Sequence, residues 1–308
     1  VISFDQILNM AYQQQALNFA PGEQYVYSNT GYNLLAEVAQ RITGKSFRIW
    51  IDENIFQPLG MTNSHFHDDH TELVPNMAYG YARDRKGGYR TTKNSLTALG
   101  SSSLYTTVDD LAKWVINLDT RKVGGKDVIA AMSERGVLNN AEKIAYGYGL
   151  SNGEYKGLKT LDHSGGWASF QTFLLHFPEQ HFSVVVLANH SPSNPYQAAY
   201  KIADIYLAAN LTDGEEKAEK PRTAASGISD AVLEEYLGTY KLGPGWYVTI
   251  NKGGVGLTAY ATNEQVVPMI ATSDTSFWVP AYNAPIEFVK DNTGKVTHFS
   301  YKGMTCPK

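Results

Sequence analysis

Two short stretches hold residues whose types and spacing could do chemistry. In the first, a Pro21-Gly22 turn delivers the chain into Tyr27-Ser28-Asn29, and an apolar-periodic stretch begins straight after. That order places polar side chains on a tight loop at a helix N-terminus, where backbone N–H groups favour developing negative charge. A phenol there could exchange a proton with a reacting group, and an amide could orient a carbonyl. A plain helix cap, in which Ser28, Asn29 or Thr30 satisfies orphan N–H groups, explains the same residues. The second stretch is Leu161-Asp162-His163-Ser164-Gly165-Gly166-Trp167, followed by β-patterned runs at Ser169–Phe177 and Phe182–Asn189. A histidine can move protons near neutral pH, although a satisfied core histidine on a strand would look alike.

Taken together, the two boxes resemble the second and third active-site boxes of the penicillin-recognising serine hydrolases. That family includes class C β-lactamases, D-alanyl-D-alanine carboxypeptidases and β-lactamase-like esterases. In it, a Ser-x-x-Lys nucleophile box is followed by Tyr-x-Asn and then by Lys-Thr-Gly or His-x-Gly on a strand. The similarity extends to Phe19–Asn33, Phe56-Gln57-Pro58-Leu59-Gly60-Met61, Leu104–Trp114 and Phe177-Pro178, roughly the first two thirds of the chain. By this resemblance Tyr27 is the acid and base, and Asn29 binds the substrate's acyl amide. His163 stands where relatives carry Lys or His, as the group that would pull the phenol's pKa down. Ser28 lies in the first box beside them, and Ser164 would hold the leaving group. Gly165 and Gly166 would leave a strand edge bare, so that substrate lies along it as an added strand, and the Gly166 N–H would be half of an oxyanion hole.

The resemblance has one large gap, because no Ser-x-x-Lys occurs in the 308 residues. The family places that box upstream of Tyr-x-Asn, so the expectation is an N-terminally truncated hydrolase domain whose nucleophile precedes Val1. The chain alone would then be inactive, and one side of the Tyr27/His163 cleft would be an open apolar face. The missing segment or another chain is expected to cover it. Expected substrates are small esters, D-amino-acid peptides and, less readily, β-lactams, with no cofactor. A histidine in place of a permanent lysine charge tilts the expectation toward esterase or peptidase. The family also implies a bacterial, periplasmic or secreted setting. A non-catalytic binding or accessory protein that keeps the cleft is the alternative from a different class.

Other candidates are weaker. Gly149-Leu150-Ser151-Asn152-Gly153 matches a nucleophile elbow, but another strand follows where a helix is required, which puts Ser151 in a hairpin turn. His65, His67, Asp68, Asp69 and His70 crowd the irregular stretch Asn63–Tyr79. Their spacing fits no standard metal motif and reads as a solvated loop, with a metal-dependent hydrolase on His65, His67 and His70 ranking third. Cys306 is the only cysteine, so no internal disulfide can form, and its place near the C-terminus reads as an exposed thiol. A net charge of -4 with no basic run argues against nucleic acid, and no apolar stretch reaches membrane-span length.

The elements that must position the boxes follow from periodicity and caps. Ser3-Phe4-Asp5-Gln6 has capping-box spacing and predicts a helix over Ser3–Ala16. Leu34, Leu35, Val38, Ala39 and Ile42 form the stripe of a helix that stops at Gly44, and Ser46 caps another through Ile55, halted before Pro58. A hairpin spans Tyr79–Arg90, and a helix with Asp109 and Asp110 in its first turn buries Leu111, Trp114, Val115 and Leu118. Strands at Ala145–Ser151, Leu158–His163, Ser169–Phe177 and Phe182–Asn189 precede a helix over Pro195–Asn210, whose inward face is Ala198, Ile202, Ile205 and Tyr206. The predicted class is α+β, an antiparallel sheet flanked by helices, plus a small all-β C-terminal barrel. The division is a partial hydrolase domain over 1–210, a polar linker over 211–227, and the barrel module over 228–308.

Overall fold

The computed structural model describes residues 1–84, 86–191, 193–212, 228–243, 246–253, 256–261, 266–279, 284–301 and 304–308. The expected linker lies outside these except for Leu211 and Thr212. The chain separates into two compact units, Val1–Gly214 and Glu215–Lys308.

The first unit opens on α1 (Phe4–Tyr12), which Ser3 and Gln6 close with a reciprocal capping box. It ends at Tyr12, short of the predicted Ala16, because the Gln13-Gln14-Gln15 run offers no apolar side chain to bury. Helix α2 (Asn29–Thr43) is capped by Ser28 and stopped by Gly44 in the left-handed conformation. From α3 (Phe47–Ile51), capped by Ser46, the helix continues through a wider-wound turn at Asp52–Phe56 into α4 (Gln57–Leu59). Pro58 therefore does not halt it. The proline sits at the start of the last turn, where its missing N–H costs nothing, and left-handed Gly60 ends the run.

Strands β1 (His65–Phe66) and β4 (Leu104–Tyr105) pair antiparallel, and β2 (Gly80–Arg83) with β3 (Tyr89–Thr92) forms the expected hairpin. Helix α5 (Val108–Thr120) buries Asp110, which accepts from Asn63 N at 2.7 Å, Ser64 Oγ at 2.8 Å and Lys113 Nζ at 2.9 Å. Helix α6 (Gly125–Met132) follows. Then β5 (Tyr146–Gly147), β6 (Leu150–Tyr155), β7 (Leu158–Trp167), β8 (Phe170–Phe177) and β9 (Phe182–Ala188) form one antiparallel sheet in sequence order. A short β10 (His190–Ser191) runs parallel to β2. Ser151 lies on β6 rather than in a turn, the turn being Tyr148-Gly149, both at positive φ. A strand on each side of Ser151 excludes an elbow.

Helix α7 (Pro195–Tyr206) packs on this sheet with a face other than the one expected. Ala199, Tyr200 and Ala203 are buried against Phe173 and Phe177, while Ile205 is 74% exposed and Tyr206 73%. Small alanines let the helix approach the sheet closely, so the longer Ile202, Ile205 and Tyr206 are left outside. Helix α2 does the same. Asn33 and Ala36 are buried, while Leu35, Val38 and Ile42 are exposed, Ile42 at 79%. Of the apolar stripe read from the sequence, Leu34 packs with Phe4, Leu8 and Leu99, while Leu35, Val38 and Ile42 stay exposed among the described residues.

The second unit is α8 (Asp230–Glu235) and eight antiparallel strands paired in sequence order. They are β11 (Gly238–Gly243), β12 (Trp246–Gly253), β13 (Gly256–Ala261), β14 (Val266–Ala271), β15 (Ser276–Val279), β16 (Ala284–Lys290), β17 (Val296–Tyr301) and β18 (Met304–Pro307). The last strand returns beside the first, so the sheet curls into a nearly closed barrel. Its interior is filled by Tyr236, Tyr240, Phe277, Phe288 and Phe299. Cys306 belongs to that interior rather than to the surface. It pairs with Phe299 across the β17–β18 ladder and is fully buried, which raises its thiol pKa to about 11. A C-terminal strand closing a barrel is as interior as any other.

Candidate active site

The Tyr27-Ser28-Asn29 loop sits at the start of α2. Ser28 is the N-cap residue and accepts from Gly31 N at 3.1 Å, so the capping role is real and occupies that side chain. The cap frees its neighbours. Tyr27 donates its hydroxyl proton to Asn29 Oδ1 at 3.1 Å and leaves its ring 48% exposed. The turn after Ala98 supports the first turn of α2 from below. Gly100 there is at φ 86°, and a Cβ on it would stand 2.3 Å from the Tyr32 carbonyl oxygen.

His163 comes from the sheet. Strand β7 runs unbroken from Leu158 to Trp167, so the whole second box is on one strand. The Tyr27 and His163 rings lie 6.0 Å apart between centroids, tilted by 39°. These residues, remote in sequence, do meet. Ser164 and Gly166 are exposed beside them, and Gly165 is half-buried.

The strand edge at this point has a specific form. Strand β8 pairs with β7 along its full length, from Leu161 opposite His176 to Trp167 opposite Phe170. On the other side, β6 covers only Leu158 to Asp162, where Ser151 is the last partner. Among the described residues no strand pairs with the β6-side edge of His163–Trp167. A glycine pair on a half-uncovered strand leaves room for an extended guest.

The tautomer of His163 follows from its neighbours. Nδ1 lies 2.6 Å from the Ser164 carbonyl oxygen, which can only accept, so Nδ1 carries the proton. Nε2 is then an acceptor, and Tyr146 donates its hydroxyl to it at 3.0 Å. Burial holds the His163 pKa below its usual value, partly offset by the Ser164 carbonyl, so the ring is neutral near pH 7. His163 therefore does not act as the cation expected to acidify Tyr27. Desolvation raises the Tyr27 pKa, and Tyr32 adds to the rise. The phenol is held protonated.

Tyr146 is the residue that sequence reasoning missed. It lies in Ala145–Ser151, read from the sequence as one strand but folded as β5, a turn at Tyr148-Gly149 and the start of β6, and its approach to His163 depends on sheet register. Tyr146 stands opposite Ser151, and Ser151 opposite Asp162, one residue short of His163. Tyr25 and Tyr27 also pack on it, at 5.5 and 6.0 Å between centroids. Beside this group a cavity of about 470 Å³ is lined by Tyr25, Tyr32, Arg135, Ile144, Tyr146 and Tyr148.

The His/Asp stretch is more ordered than a solvated loop. His67 is 4% exposed and stacks on Tyr105 at 4.3 Å, and Arg48 pairs with both Asp68 and Glu72. His70 packs edge-on against the His67 ring at 5.5 Å between centroids, and its Nε2 shares a hydrogen bond of 2.8 Å with Thr97 Oγ1.

An antiparallel sheet whose inner strand presents His-x-Gly to a Tyr-x-Asn loop is the arrangement of the penicillin-recognising serine hydrolases. A sequence model of the Beta-lactamase family matches residues 6–209, and the chain belongs to that family. It is 27% identical over 291 residues to penicillin-binding protein 4* of Bacillus subtilis, covering 88% of this chain and 62% of that protein. It is 25% identical over 189 residues to a D-aminopeptidase of Gluconobacter oxydans, covering 61% of this chain and 36% of the relative. The octameric penicillin-binding protein homologue from Pyrococcus abyssi superimposes with a TM-score of 0.64 at 23% identity, over 100% of this chain and 70% of that one. The chain thus spans less than two thirds of the length of these curated relatives.

Proposed function

We propose that this chain carries the Tyr-x-Asn and His-x-Gly parts of a serine acyl-transfer site acting on D-amino-acid peptides or amides, with small esters as the next class. The observation that carries this reading is the approach of Tyr27 to His163 beside an uncovered strand edge. The D-aminopeptidase relatives support the substrate class. No Ser-x-x-Lys occurs in these 308 residues, so the proposal assigns the nucleophile to sequence beyond them. In this reading residues 1–210 belong to the hydrolase domain and 228–308 form an accessory module.

The roles follow from the hydrogen bonds. Tyr27, protonated and bonded to Asn29, gives its proton to the leaving amine or alkoxide as the acyl bond breaks, and the phenolate regains one from the water that then attacks the acyl-enzyme. A phenol with a raised pKa is a proton donor in the resting site, not a base. Neutral His163, its Nδ1–H on the Ser164 carbonyl and its Nε2 accepting from Tyr146, adds no permanent charge and holds the Tyr146 hydroxyl in place beside Tyr27. The extended part of the substrate lies along His163–Trp167, with Gly165 and Gly166 giving its backbone room.

The test is covalent labelling of the complete gene product with a fluorescent penicillin and a fluorophosphonate, with the adduct mapped by mass spectrometry. An adduct on the serine of a Ser-x-x-Lys, with turnover of D-aminoacyl amides, is expected. A complete gene product with no such box and no adduct would instead make this a non-catalytic binding protein that keeps the cleft.

A further inference from the structure

We propose that His65, His67 and Glu72 form a site for one transition-metal ion of the zinc class, separate from the Tyr27–His163 group. His65 and His67 are two apart on extended chain, so their side chains share a face. Their ring nitrogens point at one another, His65 Nε2 lying 3.1 Å from His67 Nδ1. Glu72 Oε2 stands 3.8 Å from His67 Nδ1, and the ligating atoms of all three residues lie within 4.8 Å of one another. In a tetrahedral zinc site with bonds of about 2.1 Å, neighbouring ligand atoms are roughly 3.4 Å apart. The spacing is close to that before any ion enters.

The surroundings hold the set in place. The His65–Tyr105 and Phe66–Leu104 pairs fix the strand, and His67 N donates to the Ser103 carbonyl at 2.8 Å. The buried His67 ring lies flat on Tyr105. Arg48 grips Glu72 through both oxygens, at 2.6 and 2.9 Å, and reaches Asp68 at 3.0 Å. A hydrogen bond from outside is what orients a ligating carboxylate, and a carboxylate oxygen that accepts one keeps a second lone pair. Two imidazoles and one carboxylate leave a fourth position open, and they suit Zn²⁺, Co²⁺ or Ni²⁺ better than Mg²⁺ or Ca²⁺. The role is a clip that ties the segment after β1 to the β1–β4 pair. His70, spent on Thr97, is outside the set.

The experiment titrates chelator-washed protein with zinc in a calorimeter and with cobalt in a visible spectrometer. One ion per chain at micromolar concentration is expected, with a cobalt spectrum of tetrahedral type and a higher melting temperature when zinc is saturating. His65→Ala and Glu72→Gln, both at accessible positions, should each weaken binding at least tenfold, and Arg48→Lys should weaken it by about tenfold. His70→Ala should leave it unchanged. Absence of binding, affinity unmoved by His65→Ala and Glu72→Gln, or loss only in His181→Ala (beside Asp119) would overturn the proposal. None of these readouts depends on hydrolysis, so failure here leaves the acyl-transfer reading standing, and the reverse holds.

Discussion

The molecule contains two clusters of tyrosines that use the same side chain for opposite ends. In the barrel, Tyr236 stacks on Phe288 at 4.2 Å and Tyr240 packs on Phe299 at 5.0 Å. Their hydroxyls are spent on main-chain carbonyls, Tyr236 on Asp274 at 2.6 Å and Tyr240 on Tyr236 at 2.9 Å. In the first unit, Tyr25, Tyr27, Tyr32 and Tyr146 leave part of their rings open, and the hydroxyls of Tyr27 and Tyr146 end on Asn29 and His163. Desolvation raises Tyr27, Tyr146 and Tyr240 alike. A raised phenol pKa therefore does not separate core from site. What separates them is where the proton points, toward a fixed carbonyl or toward a group that can itself change partners.

Substitutions can break that contrast. The largest effect is expected for Tyr27→Phe in the complete gene product, which should lower hydrolysis of a D-aminoacyl amide on the order of 10² to 10⁴-fold. Its urea midpoint should stay put, because an exposed hydroxyl is lost. Equal loss of activity in Tyr240→Phe would mean that the distinction between the clusters is empty. Next comes Phe288→Ala, which removes the ring shared by Tyr236, Tyr240, Phe277 and Phe299 and should cost about 3–5 kcal/mol in the denaturant unfolding of the barrel. Tyr240→Phe should cost about 1 kcal/mol, the net worth of one buried hydrogen bond, by the same measurement.

The smallest effect sharpens the picture at His163. Nitrogen-15 NMR should find the proton on Nδ1 and a titration midpoint below the ordinary histidine value near 6.5. The sign follows by linkage. With a depressed folded pKa the unfolded chain binds protons first, so this group's contribution is complete above about pH 6.5 and is lost as pH falls toward the folded midpoint. A proton on Nε2, or a midpoint above 6.5, would contradict the donation from Tyr146.

How much of this could be read from the chain alone depended on the distance over which each feature is decided. Local rules succeeded. The Ser3–Gln6 box, the Ser28 and Ser46 caps, the acidic first turn at Asp109 and Asp110 and the Gly44 stop are set within one helical turn. The two boxes were visible because their residue types are uncommon in combination. Features set by packing were not. Which face of α7 turns inward depends on how closely its alanines approach Phe173 and Phe177, which periodicity does not encode. Tyr146 reaches His163 through a register carried across β5, β6 and β7. Glu72 stands beside His65 and His67, and the His70 Nε2 is drawn to Thr97, because Arg48 and Thr97 engage the two side chains from distant segments. Proline at position 58 misled for a subtler reason, since a helix can restart around it when the preceding turn widens.

The half-covered strand that carries His163 has a geometric corollary. A guest chain laid along it must send successive substituents to alternate sides of the sheet, and inverting one α-carbon exchanges the sides at that residue alone. Where the Tyr27 ring stands beside His163, mirror-image residues would meet different walls. The backbone track would then act as a gauge of handedness before any particular side chain is recognised.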